Sequence, residues 1–267
     1  MPQDKTLSVE GLCFEVDGPV AFLTIENEAE QNRMAPATIA ELRRIAAALE
    51  SRDDLHVVVL RGAGQQYFST GILNPALRGS MSKEEVIDLV VQARAAFDAI
   101  EALPQIIIAG LNGEVRAGGV ELALACDIRI AAEHVRLSLP EAQWGGFPGA
   151  GGPLRLARLI GRPRALDLIC TGRAIDAREM ERMGIVQKVV AAREFERSLH
   201  EFVTQVASSG PLALRGAKEI MMVSEKPGFE AAREKADALR QQLEWSTDVD
   251  EGIRAHQEGR RPRFTGR

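Results

Sequence analysis

Two glutamates, Glu121 and Glu141, are the residues of this sequence best placed to do acid–base chemistry. Glu121 lies one turn into a predicted helix that Gly118 and Gly119 open. A helix N-terminus presents unpaired backbone N–H groups and a partial positive charge, so it can hold an anion. A carboxylate one turn in can act on whatever is held there, and a second carboxylate from a separate loop would complete an acid–base pair.

Each of these residues also has a purely structural explanation. Glycine pairs often mark close packing of a helix against a strand, which would account for Gly118 and Gly119. Glu141 follows a proline and precedes the Gly/Pro-rich segment 145–152, so it could be a surface charge or a helix N-cap. The predicted helix around Glu121 is otherwise almost wholly apolar, however, and a buried carboxylate needs a partner or a function.

Other kinds of site find no support in the sequence. The segment 145–152 lacks the third glycine of a dinucleotide-binding loop, and no Gly-Lys-Ser/Thr or Gly-x-Ser-x-Gly motif occurs. The three cysteines, Cys13, Cys126 and Cys170, lie far apart, which argues against a disulfide framework or a zinc knuckle. The four histidines have no ligand-like spacing. We therefore expect no metal site.

Composition and charge narrow the class of protein. The chain has 267 residues, of which 45 % are hydrophobic and 27 % charged, as in a soluble globular protein with one large domain. A net charge of -5 provides no basic field for nucleic acid or for an anionic membrane. No apolar run approaches the roughly 20 residues of a spanning helix, and no signal peptide is visible. We expect a cytoplasmic protein without nucleic-acid or membrane partners.

The chain is predicted to begin with a β-hairpin. Asp17-Gly18 stands between two apolar-rich runs, 12–16 and 20–25. Asp-Gly in this setting is a strong signal for a type I′ turn, which needs positive φ at both central residues. We therefore expect an antiparallel strand pair with that turn.

Short strands and helices are predicted to alternate after the hairpin. Ser82 and Glu85 form a capping-box signature for a long helix that ends near Leu103. Apolar periodicity and short apolar runs predict the other elements, namely helices at 36–50 and 118–126 and strands at 56–61, 67–69, 105–109, 127–131 and 135–139. The first two-thirds of the chain therefore contains several strand–strand–helix units.

The pattern becomes purely helical after about residue 193. Helices are predicted at 193–209, 211–223, 229–246 and 249–259, and Asp248 with Glu251 is a second capping-box signature. We divide the chain into a core, 1–192, and a helical C-terminal region, 193–267. That region is expected to pack against the core or against another subunit.

A series of motifs in a fixed order resembles the crotonase (enoyl-CoA hydratase/isomerase) superfamily over nearly the whole chain. The motifs are Phe68-Ser-Thr-Gly-Ile-Leu, the frame 117–127, Pro140-Glu141 with 148–152, and the segments 171–180, 183–190 and 251–267. The resemblance implies an α/β fold, a crotonase-like spiral of ββα units with a C-terminal helical trimerisation region. It also implies assembly into a trimer or hexamer.

The resemblance further implies a site for an acyl-CoA thioester, with no cofactor besides this substrate. The thioester carbonyl oxygen would lie in an oxyanion hole between the backbone N–H groups of Ile72 and Gly118. Glu121 and Glu141 match the two glutamates of the hydratase branch. Glu121 would deprotonate a water that attacks Cβ of a 2-enoyl-CoA, and Glu141 would give a proton to Cα. Further substrate contacts are expected from residues beside these groups, namely Gly71, Leu73, Asn74, Gly119, Trp144 and Gly149.

The sequence departs from the family pattern at three places. Ile72-Leu73 replaces the usual Ala-Asp, Arg116 stands where an apolar residue is common, and His256 replaces an aromatic residue of the tail. A backbone donor survives any side chain, so the oxyanion hole can persist, while the acyl pocket changes. Other enolate-forming reactions use the same scaffold, so an isomerase, a decarboxylase or a C–C hydrolase is an alternative. A non-catalytic CoA-binding protein is a further alternative, against which the glutamate pair argues.

Overall fold

The structure is a computed structural model, which describes residues 7–9, 11–74, 76–77, 80–224, 247–248, 251, 254–255, 258, 260 and 262–267. The helix predicted at 229–246 and most of the helix predicted at 249–259 lie outside these residues. Asp248 and Glu251 are described, and the Asp248 carboxylate accepts N–H bonds from Thr265 and Gly266.

Eleven strands and eight α-helices are assigned within the described residues. In chain order the strands are β1 (Leu7–Val9), β2 (Leu12–Asp17), β3 (Val20–Ile25), β4 (Val57–Gly62), β5 (Tyr67–Ser69), β6 (Ile106–Leu111), β7 (Glu114–Arg116), β8 (Ile128–Ala132), β9 (Arg136–Ser138), β10 (Ile175–Asp176) and β11 (Lys188–Val190). The helices are α1 (Pro36–Leu49), α2 (Lys83–Glu101), α3 (Gly118–Leu124), α4 (Gly152–Ile160), α5 (Arg162–Thr171), α6 (Ala177–Met183), α7 (Phe195–Ala207) and α8 (Pro211–Ser224).

From β4 to β9, successive strands alternate between two sheets. The larger sheet has seven strands in the order β1-β2-β3-β4-β6-β8-β11, and the smaller has four in the order β10-β9-β7-β5. In the three units β4-β5-α2, β6-β7-α3 and β8-β9, the first strand joins the large sheet and the second joins the small one. Neighbouring strands of these units pair in parallel in both sheets. This repetition is a spiral of ββα units, as the resemblance implied.

The N-terminal hairpin forms as predicted, but with a different turn. β2 and β3 pair antiparallel from Leu12↔Ile25 to Asp17↔Val20, which leaves Gly18 and Pro19 as the loop residues. Of these two, only Gly18 has a positive φ, at 53°. A type I′ turn needs positive φ at both loop positions, which proline cannot adopt. The expectation of a type I′ turn was therefore wrong.

The long helix α2 begins at the predicted capping box. Ser82 Oγ accepts the Glu85 N–H at 3.1 Å, and the Glu85 carboxylate accepts the Ser82 N–H at 2.7 Å. The inward face of α2 includes Phe97 and Ile100, which are fully buried in the core. α2 packs along α1, which in turn contacts β2 of the large sheet.

The two C-terminal helices in the described part of the chain pack onto the core. α7 contacts strands β4 and β8, and α8 contacts β6. Lys218 of α8 reaches Asp127, at the start of β8, through a buried ion pair of 2.7 Å. In the described residues, no helix has both the length and the apolar character needed to cross a bilayer.

Candidate active site

The first turn of α3 is packed tightly against β5. A Cβ atom on Gly119 would lie 2.2 Å from the Ser69 carbonyl oxygen, so glycine is required for this approach. Glu121, in the same turn, is only 3 % exposed. Its Oε1 accepts two backbone N–H bonds of 2.8 Å, one from Ala150 and one from Gly152. Gly152 is the first residue of α4, so the Glu121 carboxylate lies at that helix N-terminus.

Burial is the main influence on the ionisation of Glu121. It raises the pKa to about 7, and the nearby charge of Glu141 adds to the increase. The two N–H bonds and the charge of Arg155 act in the opposite direction because they stabilise the carboxylate. Only Oε1 takes part in these bonds, and Oε2 makes no hydrogen bond to another described residue. That oxygen can therefore accept a hydrogen bond from a water molecule.

Glu141 lies in a short 3₁₀ helix, Pro140–Trp144, that follows β9. Burial raises its pKa to about 7, and its own backbone N–H lowers it slightly. Its Oε2 is buried and has no hydrogen-bond partner among the described residues. An unpartnered buried carboxylate oxygen is costly when it is charged, which favours the neutral acid.

The hydrogen-bond environments of the two glutamates therefore differ, although both pKa values rise to about 7. Burial is the main cause at both residues, and the charge of Glu141 adds to the rise at Glu121. The N–H donors favour the ionised form of Glu121, and the orphaned oxygen favours the protonated form of Glu141. The pair can thus hold one base and one acid at the same time.

The backbone of Ile72 lies close to that of Gly118. A Cβ on Gly118 would be 3.4 Å from Ile72 N and 2.9 Å from Ile72 Cδ1, and a Cβ on Gly71 would be 2.7 Å from Gly118 N. Neither the Ile72 N–H nor the Gly118 N–H donates to another described residue. The structure therefore brings two unpaired donors together at the ends of the neighbouring strands β5 and β7.

An unusual backbone conformation carries the Gly118 N–H. Ala117 has φ 51° and ψ -126°, a combination that costs a non-glycine residue about 1–3 kcal/mol. Its N–H donates to the Ser138 carbonyl of β9 at 3.0 Å, which fixes the strained peptide. Gly71, with φ 99°, precedes the other donor, and its N–H donates to Ser69 Oγ at 3.1 Å. Both donors are thus held by bonds within the small sheet.

Three of the expected substrate-contacting residues follow these donors or flank the glutamates. Leu73 is partly buried against the core, and Trp144 is half-buried at the end of the 3₁₀ helix. Asn74 is exposed, and its Oδ1 accepts the Leu77 N–H at 2.8 Å. Their contacts with a substrate stay predictions.

Two of the expected contact glycines have packing roles. Gly119 lies against β5, as described above, and a Cβ on Gly149 would be 2.6 Å from Cγ1 of Val90 on α2. The packing explanation for Gly119 therefore applies to it directly, whereas its contact with a ligand stays a prediction. Arg116, the departure on β7, has a buried Nε without a partner and lies 3.7 Å from Glu114.

Sequence reasoning missed the residues that hold Glu121 in place. These are the N–H groups of Ala150 and Gly152 and the buried side chain of Arg155. The sequence indicated the glycine-rich segment as part of the family motif, with Gly149 as a substrate contact, and not as a donor to Glu121. Pro153, the second residue of α4, was an available signal, because proline marks a helix start, where backbone N–H groups lack an acceptor within the helix. In the described part of the chain, no group of three or more His, Cys, Asp or Glu side chains is placed to hold a metal ion.

Comparison with known proteins decides the family. Residues 15–267 match the family model described as enoyl-CoA hydratase/isomerase. The chain belongs to the enoyl-CoA hydratase/isomerase family, within the crotonase superfamily. It is 32 % identical to the short-chain-enoyl-CoA hydratase of Clostridium acetobutylicum, over 80 % of this chain and 81 % of that protein. It is 30 % identical to the crotonyl-CoA hydratase of Syntrophomonas wolfei, over 97 % and 99 %.

A solved structure supports the fold directly. The enoyl-CoA hydratase of Bacillus anthracis superposes on this structure with a TM-score of 0.92 at 34 % sequence identity. The match covers 96 % of this chain and 100 % of that chain. The crotonase fold expected from the motifs is therefore confirmed. An acyl-CoA substrate is consistent with the enoyl-CoA hydratase/isomerase family.

Proposed function

We propose that this protein is an enoyl-CoA hydratase that adds water across the double bond of a 2-enoyl-CoA. The observation that carries the proposal is a pair of glutamates, Glu121 buried and Glu141 half-buried, with opposite hydrogen-bond environments. Glu121 has two N–H donors and a free oxygen for water, and Glu141 has a buried oxygen without a donor. Hydration needs one carboxylate base and one carboxylic acid, and this pair provides both.

In the proposed reaction, Glu121 takes a proton from water as the oxygen bonds to Cβ of the substrate. The electrons of the double bond move to the thioester carbonyl oxygen, which the N–H groups of Ile72 and Gly118 stabilise as an enolate. Collapse of the enolate draws the proton of Glu141 onto Cα. The product is a 3-hydroxyacyl-CoA, and proton exchange with solvent then returns Glu121 to the carboxylate and Glu141 to the acid. Water and the two glutamates account for every proton, so the proposal calls for no cofactor beyond the CoA thioester.

The test is to replace each glutamate by glutamine and measure hydration of crotonyl-CoA at the enoyl-thioester absorbance. Glu121→Gln and Glu141→Gln should each lower kcat by roughly 10²–10⁴, the usual scale for a positioned acid or base. KM should change little. In Glu121→Gln the introduced amide can still accept both N–H bonds through its carbonyl oxygen, so the fold is preserved. Glu201→Gln, at an exposed position on α7, is the matched control. Near-native kcat in either site variant would refute the two-carboxylate mechanism.

Isomerisation of a double bond is the second candidate, since it needs only one carboxyl group to move a proton. The buried, unpartnered oxygen of Glu141 favours such a role. The two reactions separate on a 3-enoyl-CoA substrate. If Glu121→Gln loses hydration and keeps full conversion of the 3-enoyl to the 2-enoyl thioester, and the native protein isomerises faster than it hydrates, isomerase is the better description.

Self-association belongs to the proposal as well. Leu159 of α4 and Met221 of α8 are 37 % and 65 % exposed and line one cleft of about 440 Å³. Apolar side chains in this position favour a contact between subunits. We propose a trimer or hexamer in the cytoplasm. Light scattering is the test, and a monomer of the 29.1 kDa chain would refute it.

A further inference from the structure

Arg155 of α4 is a buried cation that bonds to two other segments of the chain. Its side chain is only 6 % exposed. Nη2 donates to Asp98 at 2.6 Å and to Glu101 at 2.7 Å, both on α2. Nη1 donates to the carbonyl oxygen of Ala150 at 3.0 Å. Charge-assisted bonds of this kind are strong and directional, so the guanidinium fixes the position of the Ala150 peptide relative to α2.

The segment held by Arg155 is the one that binds Glu121. Ala150 gives its carbonyl to Arg155 and its N–H to Glu121 Oε1, and Gly152 gives the second N–H. Gly151, between them, has φ 107°, and a Cβ there would lie 2.2 Å from Arg155 Nη1. The turn thus has the one residue type that permits both its conformation and the close approach of the guanidinium.

We propose that Arg155 is a positioning residue for the reaction, which holds the turn 150–152 so that its two N–H groups orient the carboxylate of Glu121. This proposal rests on the proposed role of Glu121 as the base. Arg155 does not touch the reacting atoms. It acts through the turn and through its charge.

The electrostatics agree with this geometry. Among the charged side chains, Glu141 raises the pKa of Glu121 and Arg155 lowers it. Asp98 and Glu101 lie on the far side of Arg155 and partly neutralise it. Loss of the Arg155 charge should therefore raise the pKa of Glu121. Loss of the two acidic partners should lower it, because the remaining cation is then less neutralised.

A purely structural ion pair between α2 and α4 makes a different prediction. It would lower the stability of the protein when removed, and it would leave kcat per folded molecule and the pH profile unchanged. The two explanations are therefore distinguishable by kinetics on the folded fraction.

The experiment measures kcat, KM and the pH dependence of kcat/KM for crotonyl-CoA hydration in Arg155→Met and Arg155→Lys, with rates normalised to folded protein. Arg155→Met should lower kcat by about 10- to 100-fold, the scale of a misplaced catalytic group, with a much smaller change in KM. The acid limb of its pH profile, where kcat/KM falls as Glu121 becomes protonated, should move to higher pH. Arg155→Lys keeps the charge but lacks the planar guanidinium with its several N–H donors. It should therefore keep the native acid limb and recover only part of kcat.

The double variant Asp98→Asn/Glu101→Gln keeps the test valid if Arg155→Met does not fold. It leaves Arg155 in place, and its acid limb should move to lower pH, opposite to Arg155→Met. Lys218→Met is the matched control, since it removes a cation as buried as Arg155 from an ion pair with Asp127 that does not contact the turn. It should lose stability without moving the acid limb.

Native kcat and an unmoved acid limb in folded Arg155→Met, or an unmoved limb in the double variant, would overturn this proposal. Failure of the proposed function gives a different result, which is full hydration by Glu121→Gln. If Glu121→Gln is inactive and Arg155→Met is native, only the role of Arg155 is refuted.

Discussion

Replacement of Glu121 by glutamine should remove activity and should also remove a loss of stability that the native protein suffers as pH rises. Burial raises the pKa of Glu121 from 4.5 to about 7 in the folded state. Between these values the folded state holds a proton that the unfolded state has lost, so stability falls as pH rises through this window. Above pH 7, the full loss of stability caused by ionising the buried Glu121 is present. At about 1.4 kcal/mol per pKa unit, the shift corresponds to about 3 kcal/mol.

The variant removes this cost because glutamine does not ionise. Relative to the native protein, Glu121→Gln should therefore gain up to about 3 kcal/mol between pH 5 and pH 9. The new amide N–H₂ group needs an acceptor, which adds a penalty that does not depend on pH. The prediction accordingly concerns the slope of the stability difference with pH and not its absolute value.

Urea denaturation at a series of pH values measures this slope. All proteins are compared at one fixed concentration, because self-association would add a concentration-dependent contribution to stability. Glu201→Gln, on the exposed face of α7, gives the baseline for loss of one surface carboxylate. If the difference between Glu121→Gln and the native protein is flat from pH 5 to pH 9, Glu121 does not ionise in that window, and the reasoning about its burial is refuted.

Three further predictions concern the start of α3 and the proposed donor at Ile72. Gly119→Ala places a Cβ 2.2 Å from the Ser69 carbonyl oxygen, so it should lower the free energy of unfolding by about 1–3 kcal/mol, measured by thermal or urea unfolding. It should also lower kcat, because it displaces the start of α3. The control is Gly210→Ala, whose Cβ meets other atoms only at 3.9 Å and which should change neither quantity. Ile72→Ala should keep the chemistry but cost about 2–5 kcal/mol of stability, since Ile72 is 5 % exposed and covers Gly118. A backbone ester that removes the Ile72 N–H should lower kcat by about 10²-fold, and native turnover by that variant would exclude position 72 as a donor.

Local sequence signals predicted the elements whose causes are local. The hairpin, α1 and the capping box of Ser82 depend on residues close together in the chain, and the structure confirms them. The turn was predicted at Asp17 and Gly18, but the loop consists of Gly18 and Pro19, because Asp17 remains in β2. This shift by one residue is why the predicted turn type was wrong. The strands β7 and β10, with three residues and two, are too short to show a period of two.

The residues of the candidate site also divide into those that local sequence indicates and those that depend on distant parts of the chain. Glu121 and Glu141 could be proposed from the sequence because their residue types and neighbours are distinctive. Arg155 was not found, because an arginine in an amphipathic helix resembles a surface residue, and its burial depends on Asp98 and Glu101 from a helix far earlier in the chain. The strain at Ala117 was equally hidden, since nothing in an alanine indicates a positive φ.

The parallel pairing of β5, β7 and β9 has a consequence for how such a protein changes over time. Each of these strands ends just before one group of the proposed chemistry, so successive turns of the spiral contribute Ile72, then Gly118 with Glu121, then Glu141. Parallel neighbours keep a spacing of about 4.8 Å whichever connection leaves their carboxyl ends. A substitution in one connection therefore leaves intact the strand spacing that separates the groups. The chemistry can diversify one turn at a time, without any need to redesign the scaffold.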